Sequence, residues 1–293
     1  MMKLKKLVSF VLVAVCTLSL AACGGSSGDS KESKDKEAVK AEVIDIDLTQ
    51  EEYAFGVDKS QPELLKKVNA FVTKIKEDGT LDEICGRYFG DGEPKAVESA
   101  KLDESKDQLV VATNAAFEPF EFTKGENYYG IDMEIAALMA EEFDQELVIQ
   151  NMDFDAVCLT VGQKKCDIAM AGLTVNKERE EYVTFSESYY SASQRLIVPS
   201  TDDTFAECKD AEAVADLLGK LKDSDAVGVQ AGTTGQFYVE GSDEWEFPGL
   251  PAKCAQYKNG SLAVQDMLNG NIKYVIIDAA PAATIITSIN EMQ

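Results

Sequence analysis

Apolar positions follow two alternating patterns through most of the chain. Short runs rich in β-branched residues predict buried strands, and stretches with apolar residues every three or four positions predict helices. A first series alternates strands and helices at 109–113, 132–143, 147–150, 155–164, 167–171 and 176–182. A second series does the same at 196–198, 211–222, 227–230, 261–268, 274–277 and 281–289. This alternation is typical of βαβ units, so we predict an α/β fold with two lobes, each a mainly parallel sheet flanked by helices.

The stretch before residue 92 contains further predicted elements. Strands are expected at 42–47 and 53–57, followed by a helix that has Ser60 as its cap and Pro62 in its first turn, and by a second helix at 81–88. The first helix has a continuous apolar face, formed by Leu64, Leu65, Val68, Phe71, Val72 and Ile75. A segment of about fifty residues makes a marginal core by itself. We therefore expect it to complete other parts of the fold, although a small N-terminal domain is the alternative.

The N-terminus predicts export. Lys3, Lys5 and Lys6 precede an apolar run at 7–20, which is too short to span a bilayer comfortably and is typical of a secretory signal. The run ends in Ala21-Ala22-Cys23, which resembles the lipobox of bacterial lipoproteins. We predict a signal peptide over 1–22, a lipid on Cys23 and a flexible tether over 23–40; the alternative is an ordinary cleavage site with a chance cysteine.

Composition narrows the possible chemistry. The chain has 28 basic and 52 acidic residues and a net charge of −24, which disfavours binding to nucleic acid. It contains no histidine, which excludes Ser-His-Asp and Cys-His catalysis and imidazole metal sites. The cysteines after Cys23 form no CxxC pair, so neither a disulfide framework nor a thiolate metal site is indicated; they are Cys85, Cys158, Cys166, Cys208 and Cys254. We expect no metal, no cofactor and a monomer.

Several motifs resemble one known family. They are Leu109-Val-Val-Ala-Thr-Asn-Ala-Ala-Phe-Glu-Pro-Phe-Glu-Phe122, Tyr129-Gly-Ile-Asp132, Ala171-Gly-Leu-Thr-Val-Asn-Lys-Glu-Arg179, Val227-Gly-Val-Gln-Ala-Gly-Thr-Thr-Gly235 and Ile277-Asp278. In order and spacing they resemble family 3 of the extracellular solute-binding proteins, the amino-acid-binding components of ABC transporters. The resemblance implies the two-lobed type II periplasmic-binding-protein fold with two hinge crossings, expected near Tyr53 and Val198.

The order of the motifs suggests a circular permutation. Residues 48–57, 63–69, 76–84 and 87–90 resemble the stretch that usually ends a chain of this family, and here they come first. We therefore predict one lobe from 50–91 and 107–198, a second lobe from 41–49 and 199–293, and a permutation linker over 92–106. A duplicated fragment and a fused, unrelated segment are the alternatives.

The resemblance also implies roles for individual residues. Arg179 would bind the carboxylate of the ligand and Asp278 its ammonium group. Further hydrogen bonds would come from Thr174, from the backbone at Ala171 and Gly172, and from the turn that holds Thr233 and Thr234. Phe117 and Phe154 would form an apolar wall, and Asn114 and Gln230 would face the side chain of the ligand.

Each of these residues has a more ordinary explanation when it is taken alone. Arg179 lies in Lys-Glu-Arg-Glu-Glu, which is more often a solvated helix face. Phe117 and Phe154 are by default core aromatics, and a strand-end carboxylate such as Asp278 is commonly a helix cap. Their joint order favours a binding site.

The expected function is capture of an amino acid by hinge closure and its delivery to an ABC permease. Glutamine-binding relatives often carry charged residues where this chain has Asn114, Gln230 and Ile277, so a polar, neutral ligand side chain is indicated. One alternative is a dehydratase-like enzyme, for which Glu118, Glu121 or Asp155 would have to serve as acid or base. Another is a lipoprotein that senses a ligand for a signalling receptor.

Overall fold

The computed structural model describes residues 38–292. The predicted signal peptide, Cys23 and all but the last three residues of the predicted tether lie outside this range. The strands are β1 Ala41–Val43, β2 Glu51–Tyr53, β3 Gly56–Asp58, β4 Gln108–Thr113, β5 Ala116–Phe117, β6 Glu121–Lys124, β7 Asn127–Tyr129, β8 Glu146–Asn151, β9 Ile168–Ala169, β10 Val183–Phe185, β11 Tyr190–Ala192, β12 Gln194–Pro199, β13 Ala226–Gln230, β14 Lys253–Tyr257 and β15 Tyr274–Asp278.

The helices correspond to predicted elements, except for α7 (Thr234–Glu240), which the predicted series lacks. They are α1 Pro62–Glu77, α2 Thr80–Phe89, α3 Ile131–Glu142, α4 Val157–Gly162, α5 Lys177–Glu180, α6 Ala211–Leu218, α7 Thr234–Glu240, α8 Gly260–Leu268 and α9 Ala279–Glu291, and a 3₁₀ turn at Phe154–Ala156 precedes α4. The predicted cap of α1 is wrong by one residue, because Gln61 holds the cap position and Ser60 bonds to Asp58 instead. Among these helices of the described part, none is long and apolar enough to cross a membrane.

Two five-stranded sheets form the two lobes. The first has the order β10-β3-β9-β4-β8 and the second β1-β12-β15-β13-β14. In each sheet the second strand in this order is antiparallel to both its neighbours, while the other four strands run in one direction. Both sheets are therefore mainly parallel, as predicted. The two sheets thus have the same arrangement of strand directions, although the sequence shows no internal repeat.

A short antiparallel ribbon joins the lobes. In it β2 pairs with β11, and Tyr53 lies opposite Tyr190. From this ribbon β2 leads into β3 of the first sheet, and β11 leads into β12 of the second. The crossing expected near Val198 is therefore wrong in position: Val198 lies within β12 and pairs with Glu42 of β1. The second sheet accordingly begins at Gln194, and the expected boundary at 198/199 falls inside a strand.

The segment before residue 92 is part of both lobes and forms no separate domain. Its first strand, β1, pairs along β12 in the second sheet, whereas β3 fills the place between β10 and β9 in the first. Residues from this segment also belong to the main core, where Tyr53, Phe55 and Val57 are fully buried. Removing it would leave each sheet without one of its strands.

The second half of this segment packs on α3. Glu134 of α3 is 4% exposed and accepts hydrogen bonds from Arg87 at 2.9 Å, from the Tyr88 hydroxyl at 2.7 Å and from the backbone N–H of Lys95 at 2.9 Å. These donors come from α2 and from the polar stretch that follows it. One buried carboxylate thus fixes α2 and the start of residues 92–106 to the first lobe.

Residues 92–106 run along the first lobe as an ordered stretch. Val97 pairs with Tyr128 of β7 and is 6% exposed. The N–H of Ala100 donates to the carbonyl of Leu147 at 2.8 Å, and the Ser99 hydroxyl accepts from the N–H of Ile149 at 2.8 Å. Because β8 is an edge strand, these bonds cover backbone groups that would otherwise be open to pairing with another chain.

Glu134→Gln tests the attachment of α2. A glutamine side chain must point an N–H donor at one of the three groups that donate to Glu134, so at least one hydrogen bond is lost. It also leaves Arg87, whose side chain is 17% exposed, without its counter-charge. We expect the free energy of unfolding, measured by urea denaturation at pH 7, to fall by about 2–3 kcal/mol.

The matched control is Glu142→Gln on the same helix. Glu142 pairs with Lys74 of α1, and both side chains are about half exposed (46% and 53%). The free energy of unfolding of this variant should stay close to that of the wild type, because exposed ion pairs contribute little. Equal losses in the two variants would contradict the role given to Glu134.

Candidate functional site

The predicted site residues converge on the seam between the lobes. From the first lobe come Asn114, just after β4, and residues 171–174, just after β9; from the second come Gln230 and Asp278, the last residues of β13 and β15. The carboxyl ends of parallel strands are where open α/β sheets form ligand sites, because loops diverge there and leave a crevice. The structure therefore brings together residues that lie up to 164 positions apart in the sequence.

Arg179 is buried and contacts both lobes. It belongs to α5, whose cap residue Asn176 accepts a hydrogen bond from the N–H of Arg179 at 2.8 Å. Its guanidinium donates to the carbonyl of Thr174 at 2.7 Å and, across the seam, to the carbonyl of Gly232 at 3.0 Å. With 8% of its surface exposed, Arg179 is not the solvated residue that its charged neighbours suggest.

Phe154 packs beneath this guanidinium. The Cζ atom of Arg179 lies 5.1 Å from the centre of the Phe154 ring, which is a favourable cation–π distance. Both residues line a cavity of about 140 Å³ that also includes Leu173 of the first lobe and Gly232 and Gln236 of the second. Phe154 is thus half-buried at the seam, whereas Phe117 is 6% exposed and lies within the core.

The close contact of Phe117 with Gly172 explains why a glycine is present there. Gly172 has φ +52, and a Cβ atom at this position would lie 2.9 Å from the Phe117 ring. Ala171, beside it, is fully buried, and the N–H of Gly172 donates to Asp132 at 2.9 Å. Since this N–H is already bonded, Gly172 can offer only its carbonyl to a ligand without losing that bond.

The turn at 232–235 faces Arg179 from the second lobe. The Thr233 hydroxyl donates to the carbonyl of Gln230 at 2.7 Å, which holds the turn against the end of β13. The Thr234 hydroxyl is buried and has no hydrogen-bond partner. A buried, unpartnered hydroxyl costs free energy unless some other molecule bonds to it, so this turn is a candidate contact for a ligand.

Asp278 occupies the cap position of α9 but makes no side-chain cap hydrogen bond. One of its oxygens accepts instead from the Tyr53 hydroxyl of the crossing strand β2. Burial, together with the nearby negative charge of Glu51, raises the pKa of Asp278 to about 7. The helix-cap explanation therefore does not account for this side chain, which is a buried carboxylate at the seam.

Glu51 is a residue of this site that the sequence analysis missed. It is 4% exposed and accepts hydrogen bonds from Thr49, from Gln194 at 3.1 Å and from Thr174 at 2.7 Å. In β2 the residues on either side of Glu52 are buried while Glu52 is exposed, so Glu51 and Tyr53 share the inner face. The pattern Glu-Glu-Tyr directly before the predicted strand at 53–57 was the available signal, because alternation in an extended segment places the first and third residues on one face.

Asn114 and Gln230 form a chain of amide hydrogen bonds across the seam. The amide of Asn114 donates to the carbonyl of Met152 at 2.6 Å, and its oxygen accepts from the amide of Gln230 at 3.1 Å. A backbone carbonyl only accepts, so it fixes the orientation of Asn114 and, through Asn114, that of Gln230. The oxygen of Gln230 is left buried and without a partner.

The three candidate acid or base residues of the enzymatic alternative have different environments. Glu121 is fully buried, both its oxygens lack partners, and burial raises its pKa well above the usual value. Glu118 is partly exposed, and Asp155 is exposed. Within residues 38–292, no group of His, Cys, Asp and Glu side chains could hold a metal ion. The five cysteines of this range are free thiols, and Cys158 and Cys166 are buried.

Comparison with known proteins identifies relatives. The model of the bacterial extracellular solute-binding proteins, family 3, matches residues 109–278. Arginine-binding extracellular protein ArtP of Bacillus subtilis (strain 168) is 34% identical over 131 residues, which are 45% of this chain and 47% of ArtP. A probable histidine-binding protein of Neisseria gonorrhoeae is 29% identical over 213 residues, 69% of this chain and 68% of that protein. The solved structure of holo ArgBP from T. maritima has a TM-score of 0.53 at 29% identity, over 65% of this chain and 78% of that one.

The family match covers more than half of the chain and includes all the predicted ligand-binding residues. The alignment with ArtP, by contrast, spans about half of the length of ArtP. The family match and the structural neighbours agree with the two-lobed type II architecture described above. The chain belongs to the bacterial extracellular solute-binding proteins, family 3.

Proposed function

We propose that this protein binds an amino acid with a polar, neutral side chain between its lobes and delivers it to an ABC importer. It would do so outside the cytoplasm, held at the membrane by a lipid on Cys23. The observation that carries the proposal is that a buried cation, Arg179, and a buried anion, Asp278, both lie at the seam between the lobes. An amino acid has a carboxylate and an ammonium group on one carbon, and such a site satisfies both.

Hinge closure follows from the way the site is divided. Arg179 and Thr174 belong to the first lobe, while Asp278 and the turn with Thr233 and Thr234 belong to the second. A ligand that contacts both lobes binds the closed form more tightly than the open form, so its binding energy favours closure. An importer that recognises the closed form would then receive only loaded protein.

The amide chain supports a polar ligand side chain. Asn114 and Gln230 are uncharged, and the one oxygen that they leave unpartnered, on Gln230, accepts hydrogen bonds. An amide or hydroxyl on the ligand could donate to it, whereas a carboxylate could not. ArtP and ArgBP are named for arginine and the Neisseria protein for histidine, so both basic amino acids belong in any test.

Isothermal titration with the twenty common amino acids tests the proposal. We expect at least one with a polar, neutral side chain to bind with a dissociation constant in the micromolar range, and glutamate to bind at least about tenfold more weakly than glutamine. Arg179→Lys should weaken binding of the best ligand by tenfold or more, because a lysine cannot replace the planar fork.

Arg195→Lys is the control for that substitution, since Arg195 pairs with Asp45 and Asp47 on the surface of the second lobe. Its affinity should match the wild type. If none of the twenty amino acids binds with a dissociation constant below about 1 mM, the proposal is wrong.

Affinity should depend on pH through Asp278. Its pKa of about 7 in the ligand-free protein means that it becomes protonated as the pH falls below 7. The ammonium group of an amino acid needs the charged carboxylate, so binding at lower pH must first release a proton. We expect the association constant to fall by up to about tenfold per pH unit between pH 7 and pH 5 and to stay level above pH 8.

Asp278→Asn should bind weakly at every pH and lose this dependence. A wild-type affinity that is constant from pH 5 to pH 8 would contradict the pairing of Asp278 with the ammonium group.

The proposed permutation is supported by the role of the N-terminal segment. Residues 41–58 supply one strand to each sheet and one of the two crossings, yet the family match begins only at residue 109. The superposition on ArgBP leaves about a fifth of that chain and a third of this one unmatched. Both facts are expected if a segment that usually closes the fold stands at the front here, and β1 would then carry the tether into the second lobe.

A chain that lacks residues 41–105 distinguishes the permutation from a fused, unrelated segment. Because the deletion removes β1, β2 and β3, we expect no cooperative thermal unfolding transition by circular dichroism and no ligand binding. A deletion variant that folds and binds like the full chain would exclude the permutation.

For the anchor, Cys23→Ser should move the protein from the membrane fraction to the soluble fraction of the cells that express it.

The enzymatic alternative keeps one observation in its favour. Glu121 has the raised pKa that a general acid needs. It is also fully buried, however, so it cannot touch a substrate unless the lobe itself opens. Recovery of the bound ligand chemically unchanged after prolonged incubation excludes this alternative, and co-purification with a permease rather than a kinase disfavours the sensing one.

A further inference from the structure

Glu51 lies outside the segment that matches the family and makes three hydrogen bonds inside the proposed site. Its two oxygens have different partners. Oε1 accepts from the Thr49 hydroxyl and from the amide of Gln194 at 3.1 Å, whereas Oε2 accepts only from the Thr174 hydroxyl at 2.7 Å. Thr174 itself is 3% exposed, and its carbonyl accepts from Arg179. Glu51 is therefore one hydrogen bond away from a residue that the ligand is expected to contact.

We propose that Glu51 is a positioning residue for the ammonium group of the ligand, acting through Thr174. A threonine hydroxyl has one proton and two lone pairs. Because its proton is held by Glu51, Thr174 can only accept from any further partner. Its free lone pair then offers a second acceptor to the ammonium group that pairs with Asp278. The inference rests on the proposed function, since it concerns the same ligand.

Tyr53 connects Thr174 with Asp278. Tyr53 forms a bridge with Thr174 and donates its hydroxyl proton to Asp278. The negative charge of Glu51 acts on Asp278 strongly enough to help raise the pKa of that carboxyl. Glu51 and Tyr53 thus share the inner face of β2, where Glu51 accepts from Thr174 and Tyr53 donates to Asp278. An ammonium group beside Asp278 lies in the field of both carboxylates, of which only Asp278 touches it.

Glu51→Gln reverses the hydrogen bond to Thr174 while it keeps the shape of the side chain. Two donors point at Oε1 and one at Oε2, so the amide oxygen takes the place of Oε1 and the amide nitrogen the place of Oε2. The nitrogen then donates to Thr174, whose own proton turns away from residue 51. Thr174 then keeps one free lone pair instead of two, and its released proton competes for the position where the ammonium group needs a lone pair.

The test compares two ligands on each variant. One is the amino acid of the panel that binds most tightly, and the other is the same molecule without its α-amino group, for example glutamine and glutaramic acid. Affinities are measured by isothermal titration, with displacement titration for the weaker ligand. We expect Glu51→Gln to weaken the amino acid by about ten- to a hundredfold and the des-amino acid by less than about threefold.

Two further variants complete the comparison. Glu52→Gln is the matched control, since Glu52 is the next residue of β2, exposed, and bonded to Ser191 at 2.9 Å; it should leave both affinities unchanged. Thr174→Val removes the hydroxyl and should give the same selective loss. It carries the comparison alone if Glu51→Gln does not fold. Combining Thr174→Val with Glu51→Gln should cost no further affinity, because both changes remove one acceptor.

The outcomes separate this inference from the function on which it rests. If the wild-type protein binds no amino acid, the proposed function is wrong and the inference falls with it. If the wild type binds but Glu51→Gln weakens both ligands equally, Glu51 only supports the hinge and the inference alone is wrong. A loss confined to the ligand that carries an ammonium group, in both Glu51→Gln and Thr174→Val, supports it.

Discussion

The antiparallel pairing of β2 with β11 forms the ribbon that ties the two lobes together. Within a few residues β2 continues into β3 of the first sheet, and β11 continues into β12 of the second. The ribbon therefore fixes the point at which the chain enters the antiparallel strand of each sheet. Aromatic packing surrounds it: the ring of Tyr53 lies 5.1 Å from that of Phe120 and 5.7 Å from that of Tyr190. Because the lobes are tied by two crossings side by side, they can rotate about this ribbon more easily than they can slide apart. The seam with the candidate site lies on the same ribbon, since Glu51 and Tyr53 belong to β2.

Buried charge gives the seam its chemistry. Asp278 and Glu51 are withdrawn from water and stabilised by hydroxyl and amide donors, chiefly those of Tyr53, Thr174 and Gln194. Neutral donors offset only part of the cost of removing a carboxylate from water, which is why the pKa of Asp278 rises. An ammonium group would supply the missing counter-charge. Under the proposed function, an amino acid neutralises the buried carboxylates as it binds. This explains why ligand recognition and lobe closure should be coupled.

The residues outside the family match are as important to the site as those within it. Residues 41–58 bring Glu51 and Tyr53 to the seam and add a strand to each sheet. Glu134 then holds α2 and Lys95 on the first lobe, and the stretch around Ser99 covers the edge of β8. These contacts make the N-terminal segment continuous with the family fold. A chain whose strands are supplied in another order can keep the same sheets, because strand pairing depends on which edges meet and not on where the chain starts.

Most of the helices and strands, and the kind of chemistry the protein can perform, were predictable from the sequence. Alternation of apolar runs gave the strands and helices of both lobes, the absence of histidine excluded whole classes of catalysis, and the motifs around Arg179 and Asp278 indicated an amino-acid site. Short strands with weak patterns, such as β7, β11 and β14, were missed because they are stabilised by their neighbours more than by their own residues. The burial of Arg179, the bond from Tyr53 that Asp278 accepts in place of a side-chain cap bond, and the bond between Glu51 and Thr174 became visible only in the folded structure. The burial of a side chain and its hydrogen-bond partners depend on residues that lie far apart in the chain, and the local sequence does not specify which of these residues come into contact.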